Sequence, residues 1–486
     1  MQPDKYKNKI SDTSQYFKNS STFLSIFSTM LKEFNLTKIN SVLSTSKKKG
    51  VDCKNIFQIL FVLPFVSIDN IKTLMGLGIS KELHHRKDVY YDFMNNERIN
   101  WRAILCSFSS QFIQIVKKNS KDKNCKIPKC LIVDDSLLPK SGNKIELIGK
   151  VYDHCCHTYK LGMKLLTLGY WDGKSFIPVD FSIHNEPGKN KVRGLKKKHI
   201  DAQFSKVRDI NSAGNKRIEE VVIDKIEMAI NMIKAAVKNK FIVDYVLADS
   251  WFITEKFIKE IQLIKLKNGI KINIIGLMKS NRILVVNKIK VKASLIPELK
   301  RKDIKYCNKF KCYYIPLTAE YKEIRLKVFW VKMKGQNSWK TLVTTDEKLS
   351  FINAMKNYQI RWSIEVFFKD CKQNLGLNSC QSTDFDAYIA SISICFMNYI
   401  VLSLRKRFDD YETIGGLFQQ LKDDFLEATI IEKIWTFLID FYNSILSELG
   451  VDIDLFISKI IENENFINEK IKENFEILFS CKRSAA

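Results

Sequence analysis

The stretch NYQIRWSIEVFFKDCKQNLGL, residues 357–377, carries Tyr358, Arg361, Glu365 and Lys372. Wound as one continuous helix at about 100° per residue, it brings all four side chains within an arc of about 60°. Ile360, Ile364, Phe367, Cys371 and Leu375 are then left to anchor the helix by burial. An acid, two cations and a phenol aligned this way suit a charged polymer held against a metal-bound carboxylate. Arg361 and Glu365 alone decide nothing, because i,i+4 is also the spacing of an ordinary surface ion pair.

The full spacing Tyr-x2-Arg-x3-Glu-x6-Lys resembles the signature of insertion-sequence transposases of the DDE class, which have a ribonuclease-H-like core. That resemblance implies two upstream aspartates, each at a strand end, with the third carboxylate on a late helix. The run Cys130-Leu131-Ile132-Val133 reads as a buried strand and ends in Asp134-Asp135-Ser136. Asp244 to Ala248 reads as another, leading into Asp249 and then a helical pattern from Thr254 to Ile264. A carboxylate at the carboxyl end of a strand lies where open α/β sheets form their clefts, although Asp249 by itself could equally cap the helix that follows. Between the two aspartates, Gly162–Tyr170 and Lys174–His184 are strand-like runs joined around Trp171-Asp172-Gly173, a hairpin signal. A helix is expected over Glu219–Val237.

The implied fold class is α/β: a ribonuclease-H-like catalytic core with a β-rich insertion, flanked by an amino-terminal helical domain and a carboxyl-terminal helical region. The expected divisions are a helical DNA-binding domain over 1–125, core over 126–277 and 346–400, insertion over 278–345, and a helical dimerisation region over 401–486. In the first of these, Phe23–Phe34, Ile56–Phe65, Asn70–Met75 and Trp101–Lys118 read as helices, with a turn at Gly76-Leu77-Gly78. Arg86, Lys87, Arg98 and Arg102 are candidates there for phosphate contacts. Residues 186–208, with Lys196, Lys197 and Lys198, read as a mobile basic loop. Trp330 and Trp339 in the insertion are candidates for stacking on an extruded base, against the ordinary alternative of packing within a sheet.

A chain of 486 residues exceeds one compact core. Its net charge of +26 is uneven: +10 over residues 1–125, +22 over 126–400 and −6 over 401–486. A basic body suits a polyanionic partner through counterion release, although a Lys-rich composition can also follow from the coding DNA. The acidic end, with the apolar stripe Ile431, Ile434, Trp435, Leu438, Tyr442 and Leu446, suits packing on its own core or on a second subunit. Twelve cysteines in a chain of this length do not make a small disulfide framework, and with no signal peptide at the start a reducing cytoplasm is expected. His154-Cys155-Cys156-His157 lacks the intervening residues that zinc pairs need. The apolar stretches Ile56–Ile68 and Ala390–Leu404 are short and interrupted, so neither is expected to span a membrane.

By resemblance, Asp134, Asp249 and Glu365 are the catalytic and metal-binding residues. Asp134 is preferred to Asp135 because the family pattern has Ser or Thr two residues on, here Ser136. Tyr358, Arg361 and Lys372 would contact DNA. Two Mg²⁺ ions, with Mn²⁺ as a substitute, are the implied cofactor. Double-stranded DNA, as element ends and as target, is the implied partner, bound by a homodimer away from membranes and at the nucleoid. The implied reaction frees a 3′ hydroxyl at the ends of a mobile element and joins it to target DNA. The competing readings are a non-catalytic DNA-end-binding repressor and a ribonuclease-H-type nuclease without strand transfer.

Overall fold

Strand β1 (Cys130–Pro139) opens with the apolar run read from the sequence, and its first four residues are buried. From Asp134 its faces become partly accessible. In this computed structural model the described residues are 27–423, apart from 29, 47–49, 67, 69, 77–85, 120–126, 155, 189–191, 267–268, 270 and 409–411. The expected helix start at Phe23, the turn at Leu77-Gly78, Cys155 and the stripe from Ile431 to Leu446 lie outside them.

The other strands are β2 (Gly149–Asp153), β3 (Thr158–Trp171), β4 (Phe176–His184), β5 (Tyr245–Ala248), β6 (Asn273–Met278), β7 (Ile283–Val286), β8 (Ile289–Lys292), β9 (Lys305–Cys307), β10 (Cys312–Tyr321), β11 (Ile324–Met333) and β12 (Lys340–Thr344). They form one mixed sheet of 12 strands in the order β2-β3-β1-β5-β6-β12-β11-β10-β7-β8, with β4 also on β3 and β9 on β10. β1 runs antiparallel to β3 and parallel to β5, and β5 runs parallel to β6. The expected hairpin is β3–β4. Asp172 closes its turn by accepting from the N–H groups of Lys174 and Ser175, and Gly173 takes φ +108°, which a side chain would resist.

The β-rich segment continues the core sheet. β12 pairs directly with β6, from Thr341↔Met278 to Thr344↔Ile275, and β11 and β10 continue outward. A β6 left unpaired would expose a row of backbone polar groups, and β12 supplies their partners. Within this extension Trp330 is fully buried and its Nε1 donates to the Ala293 carbonyl at 2.8 Å, so it packs the sheet and is not open to a base. Trp339 is half-buried, with the Lys332 ammonium 5.4 Å from its ring centroid.

The helices are α1 (Thr37–Thr45), α2 (Cys53–Val62), α3 (Ile71–Gly76), α4 (Lys87–Met94), α5 (Trp101–Asn119), α6 (Lys197–Asp201), α7 (Ala213–Glu220), α8 (Lys225–Lys238), α9 (Glu255–Leu263), α10 (Ile296–Leu299), α11 (Phe351–Gln359), α12 (Trp362–Asn374) and α13 (Phe385–Phe408). The helix expected over Glu219–Val237 is two, because Asp224 caps a new start by accepting from the N–H groups of Ile226 and Glu227. The stretch 357–377 is also broken. α11 ends at Gln359 and α12 begins at Trp362, with Ile360 and Arg361 donating to Asn357 and Tyr358, three residues back. Both residues keep right-handed dihedrals, so the break is a tightened turn between two helices.

α13 is 24 residues long and passes through the expected boundary at residue 400. By length and composition it is apolar enough to cross a membrane, longer than the sequence reading allowed, yet 94% of its most apolar window is buried inside the protein. Its surroundings include the amino-terminal helices. Asn398 donates to the Phe61 carbonyl at 3.0 Å, and the apolar faces of α2 and α5 join the same core as the sheet. Arg208, at the end of the basic segment, has a guanidinium that meets Glu146, Asp384 and Asp386 and a side chain that is 3% exposed. Arg102 is likewise occupied, pairing with Asp180 at 2.8 Å and with Glu220, so the sequence expectation of a free phosphate contact does not hold for it.

Candidate active site

The site lies where β1 and β5 run side by side and α12 crosses them. The parallel register ends at Val133↔Ala248, and the next residue on each strand is Asp134 and Asp249. Neighbouring strands are about 4.8 Å apart, so the two aspartates lie side by side. Asp249 follows the end of β5, whereas Asp134 is not at a strand end as expected, because β1 continues past it in pairing with β3. Asp249 does not cap the following helix. Thr254 does, its side chain accepting from the Phe257 N–H, which leaves the Asp249 carboxylate for another role.

α12 is anchored by its apolar face. Phe367 packs on Phe176 of β4 and on Phe396 and Tyr399 of α13, with ring centroids 5.2, 4.9 and 4.8 Å apart. Ile364, Phe368 and Cys371 are buried on the same helix. The opposite side therefore faces β1. Arg361 donates through one Nη to Asp134 Oδ2 at 2.8 Å and through the other to Glu365 Oε1 at 2.5 Å. One guanidinium thus holds two of the three expected carboxylates, at side-chain exposures of 15% for Arg361, 18% for Asp134 and 34% for Glu365. An ordinary surface pair would not reach a strand residue more than 200 positions away, so the i,i+4 spacing is part of a built site.

Burial pushes the Asp134 carboxyl up to about 7 against the pull of Arg361, with the Asp135 and Asp249 charges adding to the rise. Burial alone would lower the Arg361 pKa, but Tyr358, Asp134 and Glu365 around it raise it on balance. The group therefore has an excess of carboxylate that one internal cation offsets. Among the described residues, no three His, Cys, Asp or Glu side chains are gathered closely enough to hold a metal ion as they stand. Asp134 and Glu365 instead converge on a guanidinium.

Lys372 comes from the last turn of α12 and donates to Ser136 Oγ at 2.7 Å. Ser136 lies two residues beyond Asp134, hence on the same face of the strand. Tyr358 lies just before the break in the helix. It belongs to α11, its ring lies 5.7 Å from the Arg361 guanidinium, and its hydroxyl is buried. Burial pushes that hydroxyl up to about 12. Asp135 points the other way and pairs with Lys225 of α8 at 2.6 Å, and the Lys225 ammonium lies 4.4 Å from the Trp251 ring centroid. Lys225 and Trp251 were not read from the sequence. Strand alternation after Asp134 is the one signal that something must meet Asp135 on the far face.

The family model described as a transposase DDE domain matches residues 220–401. The matched segment holds Asp249, Tyr358, Arg361, Glu365 and Lys372, and β1 with Asp134 precedes it. No curated protein matches the chain.

Proposed function

We propose that this chain, whose residues 220–401 match the transposase DDE domain, is a DDE-class transposase that cuts DNA phosphodiesters at the ends of a mobile element and transfers the freed 3′ hydroxyl strand into target DNA. The observation that carries the reading is the Arg361 guanidinium drawn between Asp134 and Glu365, beside the strand end that bears Asp249. The sheet order β4-β3-β1-β5-β6, an antiparallel hairpin followed by three parallel strands, supports a ribonuclease-H-like core around it.

Asp134, Asp249 and Glu365 are the residues that would hold two Mg²⁺ ions, with Mn²⁺ as a substitute. Hard carboxylate oxygens suit such ions. Bound there, the ions supply activation of the attacking oxygen and stabilisation of the leaving one. The chain's own residues do the rest. Arg361 bridges Asp134 and Glu365 and so offsets their mutual repulsion. Lys372, steadied by Ser136, adds a second positive charge on the same side. Tyr358 backs the guanidinium with its ring. Arg361, Lys372 and Tyr358 are thus read as the DNA-contacting set.

The test uses linear double-stranded DNA carrying the element's own ends, with Mg²⁺. Asp134→Asn, Asp249→Asn and Glu365→Gln should each reduce nicking and strand joining to background while leaving end binding largely intact. Omitting the divalent ion should do the same to the unaltered protein. Nicking at a near-normal rate by Glu365→Gln would remove Glu365 from the set. Nicks without joined product would favour a nuclease without strand transfer, and binding without nicks a repressor. Two ends must meet on one target, so we read the working form as a homodimer on cytoplasmic, nucleoid DNA, with the contact carboxyl-terminal to residue 400. A folded truncation after residue 430 that still paired two ends in light scattering would place the contact elsewhere.

A further inference from the structure

At the amino ends of β1, β5 and β6, away from the carboxylates, lies an open groove with a cavity of about 930 Å³. Lys129, at the entry to β1, Lys271, before β6, and Lys356 of α11 line it together with Asn357 and Trp171. Lys271 and Lys356 are exposed and Lys129 is half-buried, and none of the three pairs with a carboxylate among the described residues. The one carboxylate in the lining, Asp244, is committed to the backbone, accepting from the Lys129 N–H at 2.8 Å.

A further observation points to an anion. The Lys309 ammonium sits beside that of Lys356, and this like charge lowers its pKa. Adjacent lysines without an acid between them cost energy that a bound anion would recover. Asp134 lies five residues further along β1 than Lys129, roughly 16 Å at the rise of a strand. That equals about five nucleotide steps of a DNA strand. Extended backbone phosphates can meet lysines that come from three segments separated along the chain.

We propose that this groove is a second DNA-binding surface that grips the phosphodiester backbone of duplex DNA running past the carboxylate site. Lys129, Lys271 and Lys356 neutralise phosphates, and the Asn357 amide in the same lining donates to phosphate oxygens. It rests on the reading of the chain as a DNA-acting transposase. Contacts of this kind carry no sequence information, so the groove holds flanking or target DNA as readily as element ends.

The experiment measures binding of a short duplex of arbitrary sequence to the full chain in EDTA, across a salt titration. Lys129→Glu, Lys271→Glu and Lys356→Glu combined should flatten the slope of log K against log salt by about 2–3 and weaken binding at least about tenfold at physiological salt. A control with the same change of charge on α8 and α9, Lys234→Glu, Lys238→Glu and Lys259→Glu, should leave the slope close to that of the unaltered protein. An equal loss in both would reduce the effect to net charge and overturn the groove. Should the first triple variant misfold by circular dichroism, amine-reactive labelling of the unaltered protein decides. Duplex DNA should protect Lys129, Lys271 and Lys356, and absence of protection overturns the proposal. Protection by inorganic phosphate at least as strong as by DNA would assign the groove to a small anion and overturn it as well. If the unaltered protein cuts and joins ends while the triple variant keeps its salt slope, the groove fails and the functional reading stands. If the unaltered protein binds no DNA, the functional reading fails with it.

Discussion

Asp134 and Asp135 are neighbours in the chain with opposite surroundings. One faces Arg361 on the cleft side, and the other faces Lys225 behind the sheet. Near that rear face, His184 is buried, its Nε2 2.7 Å from Ser182 Oγ. Burial, and then the Lys225 charge, hold its pKa down at about 4. An unfolded chain takes up this proton as pH falls through about 6.5, whereas the folded one waits until about 4. The stability tied to neutral His184 is therefore fully present above pH 6.5 and is lost as pH falls toward 4, by about 3 kcal/mol. His184→Gln should flatten the dependence of the melting temperature on pH across that window, leaving stability at pH 8 less affected. An unchanged acid slope in the variant would mean other groups dominate it.

Among the elements, the segment 186–208 and α13 are joined by charge. Arg208 is shared by Glu146, Asp384 and Asp386, and Lys206 also reaches Asp386 at 2.8 Å. Removing the guanidinium would leave buried carboxylates without their main partner, and breaking a buried pair from one side costs about 3–5 kcal/mol. Arg208→Met should lower the denaturant midpoint accordingly and loosen the chain around residues 186–208, which limited proteolysis would report. A change below about 1 kcal/mol would show that Lys206 and water compensate. The tightened turn at Ile360 and Arg361 works at the same scale. It lets α11 line the basic groove while α12 faces β1, so one stretch serves both ends of the sheet.

For the whole molecule, α13 is the element around which the rest closes. Its apolar length meets α5, β4 and α2, so the amino-terminal helices complete the core that holds the site. A chain beginning at residue 126 should expose that face, bind a hydrophobic dye and aggregate, rather than behave as a catalytic domain freed of its DNA-binding unit. A soluble 126–486 fragment with a cooperative thermal transition and little dye binding would count against this and restore an independent amino-terminal domain.

Much of the site was legible because it depends on local order. The apolar run before Asp134 makes a strand, though β1 goes on past it to Pro139, Asp172-Gly173 makes a hairpin, and Arg361, Glu365 and Lys372 lie on one helical face whatever surrounds them. Other features depend on distant segments and could not be read in this way. That Arg361 bridges to Asp134, that Lys225 answers Asp135, that β12 pairs with β6, and that Arg102 and Trp330 are taken up inside the protein were decided only by the tertiary structure. Periodicity specifies which face of an element is apolar, whereas the partner of a polar group is set by the packing of segments tens to hundreds of residues apart. A basic side chain reads alike in sequence whether it meets a phosphate or a buried carboxylate, and only desolvation in the folded chain separates the two.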